Sequence, residues 1–370
     1  MKILIDGRLY GLENAGLGRY VVNLVGEIGK LDRKNEYIIL LRKKYYDTLK
    51  LPKNWQKVLA DFRHYGFSEQ IKLPSIIKKI NPDLTHFPHF NVPLFYRGKY
   101  VVTIHDMLMH KSRGLESTTQ TPLLYLVKRF GYRIVFDHAV KSARKILVPS
   151  FSVKQEIVDT YKILNSKVKV TYEGVDLKIR SEKGENRNYD YFVYTGNAYP
   201  HKNLKRLIDA VNLLNKNTVK EIKLLISSSR NVFTQRLEKL ISSKKASKFI
   251  HLLGFVPDNE LGDLYENSVA FVFPPISEGF GLPGLEAMAS GTLLLASDIP
   301  VFREIYKGNA IYFDPYSPES IKIAMKKALK MDKNLRAEKI LEGKHFVKRY
   351  SWAKMAKETL SLYESCNSLR

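Results

Sequence analysis

The chain carries one cysteine, Cys366, so no internal disulfide can form, and the composition suits a reducing cytosol. No apolar run approaches the ~18 residues needed to cross a bilayer. The opening MKILID reads as a buried strand rather than a signal peptide. Short-period repeats and low-complexity tracts are also missing. Acidic residues are scarce beside basic ones, 37 against 61, leaving a formal charge of +24. Such a charge attracts a polyanion, whether nucleic acid, an anionic lipid surface or a phosphorylated small molecule, and does not choose among them. Asp-x-Asp is absent. The one Asp-x-Glu, Asp258–Glu260, reads as a helix N-cap, so metal dependence is not expected.

What is present is an ordinary globular composition, 44% apolar and 26% charged, over 370 residues, which is enough for about two doubly wound domains. Buried-strand runs at Lys2–Ile5, Tyr37–Leu41, Leu84–His86, Tyr100–Ile104 and Ile146–Val148 alternate with helical patterns such as 19–29, 69–80 and 122–143. The second half repeats the rhythm, with strands at 191–194, 223–226, 250–253, 270–273 and 293–296 and helices at 204–214, 233–243, 259–267, 284–289 and 318–330. Alternation of this kind predicts an α/β fold with parallel sheets covered on both faces and right-handed crossovers. The polar stretch 178–190, KIRSEKGENRNYD, reads as a linker between a domain over 1–177 and another over 191–350. A last helix over 351–370, with Trp352, Met355, Leu360 and Leu362 at helical spacing, completes the first domain.

In such sheets ligands bind beyond the carboxyl ends of the strands, and the unusual residues cluster there. Asp6 and the loop Gly11–Gly18, ending GLGRY, follow the first strand. Glycines let backbone approach a ligand and leave helix N–H groups open to an anion, although a tight strand–helix turn explains them equally well. Val21 stands where a dinucleotide fingerprint needs its third glycine, which argues against NAD. His105–Asp106 and the pair His86, His89 in HFPHFNVP follow neighbouring strands; the alternatives are structural histidines or a metal site. In TGNAYPHKN, Lys202 precedes a helix, an arrangement suited to phosphate. The most specific segment is PPISEGFGLPGLEAMASG. Glu278 and Glu286 flank a Gly-Pro loop in which Pro283 starts a helix, and the N–H groups near Gly281–Leu282 face a diphosphate while the carboxylates bind hydroxyls.

These motifs, with TIHDM, VPSFSVK, EGVD, LLGFVPDNEL and the closing YSWAKMAKETLSLY, resemble family 4 glycosyltransferases along essentially the whole chain. The resemblance implies the GT-B fold, two Rossmann-like domains facing a cleft. It also implies retaining hexosyl transfer from a nucleotide sugar, as in mannosyltransferases of cell-surface polysaccharide synthesis. By that resemblance Lys202 binds the donor diphosphate, Glu286 the ribose, and Glu278 the donor sugar, aided by main chain at Phe280, Gly281 and Leu282. The loop from Gly254 to Val256 holds the base, Gly16 and Gly18 approach phosphates and acceptor, and His105 lies by the transferred sugar, with Asp106 and His89 nearby. His201 stands where relatives often carry arginine, so its contribution to the diphosphate is expected to be smaller or pH-dependent.

No cofactor is expected beyond the nucleotide sugar, with GDP-mannose favoured and a UDP- or dTDP-sugar as the alternative. Expected partners are a saccharide or polyprenyl-linked acceptor and an anionic membrane surface on the cytoplasmic side. The stretch 122–145 supplies apolar residues interspersed with Lys128, Arg129, Arg133, Lys141, Arg144 and Lys145, so it is either a surface-lying helix or ordinary core. Two rival readings are an epimerase on the same fold, which needs no acceptor, and a basic nucleic-acid-binding protein. No nucleic-acid motif supports the second, and binding to nucleic acid is not expected.

Overall fold

A computed structural model of the protein describes residues 1–111, 121–176, 187–216 and 220–368. The chain divides into two compact units. The first comprises Met1–Arg113, Gln120–Gly174 and Ser351–Arg370; the second holds Val175–Tyr350. Residues 178–186 of the expected linker lie outside the described residues. Its end belongs to the second unit, where Arg187 meets Asp263 at 3.8 Å and lies over the Tyr191 ring.

Among the described residues the first unit holds seven strands: β1 (Lys2–Asp6), β2 (Glu36–Leu41), β3 (Trp55–Leu59), β4 (Leu84–Phe87), β5 (Tyr100–Thr103), β6 (Lys145–Val148) and β7 (Val168–Val170). Their order is β3-β2-β1-β4-β5-β6-β7, and every pairing is parallel. The second unit holds β8 (Tyr191–Thr195), β9 (Lys223–Ser227), β10 (Ile250–Gly254), β11 (Ala270–Phe273), β12 (Leu294–Ser297) and β13 (Ile311–Phe313). That sheet runs β10-β9-β8-β11-β12-β13, again wholly parallel. Central strands such as YVVT and AFVF are buried at every position because helices cover both faces, which is why they read as continuous apolar runs. In both sheets the strand order reverses beside the first strand, between β1 and β4 and between β8 and β11. In open α/β sheets ligands bind beyond such points.

The final helix, Trp352–Ser368, packs on the first unit through Trp352, Met355, Ala356, Thr359, Tyr363 and Cys366, a stripe at helical spacing. Gly174 permits the return of the chain, since a Cβ there would lie 2.1 Å from the Trp352 nitrogen. The Pro122–Ser142 helix is apolar on two sides. Tyr132, Phe136, Ala139 and Val140 enter the core, whereas Leu126, Val127, Phe130 and Ile134 face solvent at 60, 60, 68 and 42% exposure. The core alternative therefore accounts for one face only.

Candidate active site

The second unit builds its site at its reversal point. β8 ends in a 3₁₀ turn, Pro200–Lys202, and Asn203 then adopts the left-handed conformation (φ 61°) before the Leu204–Asn215 helix. Buried Asn203 holds three loops together by donating to Pro274 O (2.9 Å) and Pro315 O (2.7 Å) while its chain crosses from β8. The backbone of the loop after β11 also joins the turn, Ile276 N donating to His201 O at 2.9 Å. This clamp brings Lys202 and Glu278, 76 residues apart, into a direct ion pair between side chains that remain 13 and 12% exposed. Lys202 Nζ also sits 5.6 Å from the Phe273 ring centroid. The ammonium is thus fixed, partly desolvated and still reachable from solvent.

Beyond Glu278 the chain turns at Gly281 (φ 101°) into the Leu282–Ser290 helix, with Pro283 in its first turn. Two physical demands make glycine necessary here: the positive φ, and Tyr306, whose hydroxyl would lie 2.3 Å from a Cβ at Gly281 and 2.4 Å from one at Gly284. Tyr306 is fully buried and donates to Gly281 O at 2.5 Å, so it supports the loop from below. Burial raises its hydroxyl pKa well above the ordinary value, with Glu278 among the nearby charges adding to the effect. Glu286 lies in the second turn, 7% exposed, and Phe280 and Leu282 are buried beside it. Gly254 ends β10 at φ 75°, and Ser227 Oγ reaches both Gly254 O (3.2 Å) and Val256 N (3.3 Å). The base-binding loop of the sequence reading is thus tied to the neighbouring strand.

One expectation is narrowed and two need correction. Burial, reinforced by Lys202, pushes the His201 pKa down to about 3, so His201 stays neutral around pH 7 and adds neither charge nor a pH switch there. Gly16 and Gly18 lie inside the first turn of the Ala15–Leu31 helix rather than in a loop before it. Gly18 answers an internal need, because a Cβ there would lie 1.8 Å from Gly11 O, while Gly16 opens onto free space. Asp258 begins its helix and Pro257 occupies the cap position.

In the first unit His105 follows β5 at 13% side-chain exposure. Its carboxylate partner is Glu173, 3.1 Å from Nδ1, a residue the sequence reading passed over; Asp106 instead caps the next turn by accepting from Leu108 N at 2.9 Å. His86 lies within β4, wholly buried, between Tyr363 OH (2.5 Å) and Thr103 Oγ1 (2.8 Å). It fastens the last helix to the sheet and is structural. His89 Nε2 meets Tyr65 OH at 3.2 Å, and burial lowers its pKa well below normal.

Beyond β1 a second polar cluster closes on itself. Buried Arg8 spans Asp6 and Glu69, each at 2.6 Å, and Tyr65 N donates to Glu69 from 2.7 Å. Asp6, His64 and Glu69 bring potential metal-ligand atoms within 4.8 Å of one another, but Arg8 already pairs with both carboxylates. A groove of about 810 Å³ lies beside Tyr199, Arg206, Phe233 and Arg236; Lys202, Glu278 and Glu286 do not line it. The Lys202–Glu278 pair lies apart from this groove, whose lining also carries Lys205 and Asp209.

Comparison with known proteins bears on the family and the fold. Residues 175–345 match the model for group 1 glycosyl transferases and residues 15–179 the model for Glycosyltransferase Family 4. The chain is 30% identical over 265 residues to the O-antigen chain mannosyltransferase RfbU of Salmonella typhimurium, covering 71% of this chain and 69% of that one. It is 30% identical over 174 residues to O-antigen chain mannosyltransferase B of Escherichia coli, 47% of this chain and 45% of that one. Sucrose-phosphate synthase of Thermosynechococcus elongatus shares the fold across 100% of this chain and 99% of its own, with a TM-score of 0.78 at 16% identity. With two parallel Rossmann-like sheets and both halves matched, the chain belongs to the group 1, family 4 glycosyltransferases and has the GT-B fold.

Proposed function

We propose that this glycosyltransferase moves mannose, with retention of configuration, from a nucleotide sugar to a saccharide or polyprenyl-linked acceptor in cell-surface polysaccharide synthesis. The observation that carries the reading is the Lys202–Glu278 pair beyond β8 and β11, with Glu278 a few residues before the Leu282–Ser290 helix, whose N-terminus carries no side-chain cap. On donor binding Lys202 exchanges Glu278 for the diphosphate, and Glu278 turns to the hydroxyls of the sugar. Glu286 takes the ribose, the Gly254–Val256 loop the base, and main chain at Phe280, Gly281 and Leu282 the phosphates. Lys202 and the helix N-terminus stabilise the departing diphosphate as preorganised charge, which makes a metal unnecessary. The acceptor hydroxyl attacks from the face the diphosphate leaves, the phosphate assisting its deprotonation, with His105 beside the transferred sugar. The two relatives named above are mannosyltransferases, which favours GDP-mannose over a UDP- or dTDP-sugar. A thermal-shift panel of nucleotide sugars, followed by product analysis with and without acceptor and with EDTA, tests this. Donor isomerisation without acceptor, or loss of turnover in EDTA, counts against it.

The same protein is proposed to work at the cytoplasmic face of a membrane. No helix among the described residues is long and apolar enough to cross one. The solvent face of the Pro122–Ser142 helix carries Leu126, Val127, Phe130 and Ile134 next to Lys128 and Arg133, in a chain of net charge +24. An interfacial helix pairs such a face with anionic headgroups at about 1 kcal/mol per basic residue. Flotation should require anionic vesicles, weaken with salt and fall when Lys128 and Arg133 become glutamate. Equal recovery with neutral vesicles contradicts the proposal.

A further inference from the structure

The EGVD motif contains a carboxylate to which the donor and acceptor chemistry above gives no role. Glu173 lies in the segment after β7, just before the chain leaves the first unit, and is 9% exposed at its side chain. Its Oε1 stands 3.1 Å from His105 Nδ1, while Pro88 O stands 3.1 Å from the other ring nitrogen, Nε2. A third wall is Tyr20, whose ring meets the imidazole edge-on at 4.7 Å between centroids and is itself anchored to Thr103 Oγ1 at 3.1 Å. Thr103 in turn meets buried His86 at 2.8 Å. The His105 ring is therefore held from α-helical, strand-end and loop sides at once.

Both ring nitrogens face oxygen acceptors, and a neutral imidazole has one N–H to give. A carboxylate claims that proton more strongly than a peptide carbonyl does, because the charged acceptor makes the stronger hydrogen bond. Nδ1–H then points to Glu173, and the Nε2 lone pair is left against Pro88 O, a contact relieved when a hydroxyl comes in to donate to Nε2. We propose that Glu173 is the positioning residue for His105, setting its tautomer and ring plane so that Nε2 accepts a hydrogen bond from a hydroxyl of the transferred sugar. This rests on the reading that His105 lies beside that sugar. It assigns Glu173 no contact with substrate.

The test compares Glu173→Gln, Glu173→Leu and His105→Ala in the full chain by steady-state transfer, donor titration and ¹⁵N spectra of the histidine rings. Misplacing a reacting contact by about 1 Å can cost about a hundredfold. Glu173→Leu should therefore lower kcat roughly ten- to a hundredfold, with donor KM little changed and no further loss on the His105→Ala background. Glu173→Gln, which keeps an acceptor oxygen, should recover part of the rate, and the His105 ring signals should shift in both variants. If Glu173→Leu does not fold, the spectrum and rate of Glu173→Gln decide. His105→Ala inactive with both Glu173 variants at wild-type rate overturns the proposal and leaves the His105 reading standing. His105→Ala fully active removes that reading and the role of Glu173 with it.

Discussion

The two reversal points of this molecule are built from similar polar residues and spend them differently. Beyond β1, Asp6 and Glu69 both pair with Arg8 in burial, and within β4 His86 is committed to Thr103 and Tyr363. Beyond β8 and β11, Lys202 and Glu278 also pair, yet both keep an exposed edge, beside a loop whose glycines let it pack closely on Tyr306. A polar residue at a strand end is thus not in itself a functional one. The difference lies in whether its partner can be exchanged for a ligand.

Removing Arg8 should have the largest effect on this contrast. It leaves Asp6 and Glu69 buried without a counter-charge, so Arg8→Ala should cost about 3–5 kcal/mol in stability. Denaturant unfolding within 1 kcal/mol of wild type would show the cluster to be less closed than described. Acid comes next. Burial holds His86 down to about 3, below the 6.5 of the unfolded chain, so the unfolded state binds more protons throughout that window. The stability tied to His86 is therefore complete above pH 6.5 and is lost as pH falls towards 3, about 2 kcal/mol of it between pH 7 and 5. The midpoint of thermal unfolding should fall over that range, less steeply in His86→Gln, and equal slopes would refute the assignment. The smallest effect belongs to Tyr306→Phe, which removes only the hydrogen bond to Gly281 O. It should cost about 0.5–1.5 kcal/mol and weaken donor binding modestly, and an unchanged donor affinity would detach Tyr306 from the loop.

Much of this could be read from the sequence, for identifiable reasons. The central strands are buried on both faces and so appear as unbroken apolar runs, and Lys202, Glu278 and the glycines stand out because they interrupt that pattern at strand ends. The strands that escaped notice, β3, β7 and β13, are all sheet edges; WQKVL and VKV are half-polar because one side has no neighbour to bury. Glu173 and Tyr306 escaped for another reason. Their meaning comes from contacts made 68 and 25 residues away, and neither EGV nor REIY shows that locally. His105 and Asp106 are neighbours in sequence with separate partners, Asp106 accepting from its own turn and the distant Glu173 meeting the ring.

The central claim is that the second unit grips a donor diphosphate through Lys202. It is tested most directly by titrating wild type and Lys202→Ala with a nucleoside diphosphate and the matching monophosphate. Wild type should prefer the diphosphate, and the variant should lose about 1.5–3 kcal/mol, ten- to a hundredfold, on the diphosphate and little on the monophosphate, with folding intact. Undiminished preference for the diphosphate in Lys202→Ala would contradict it.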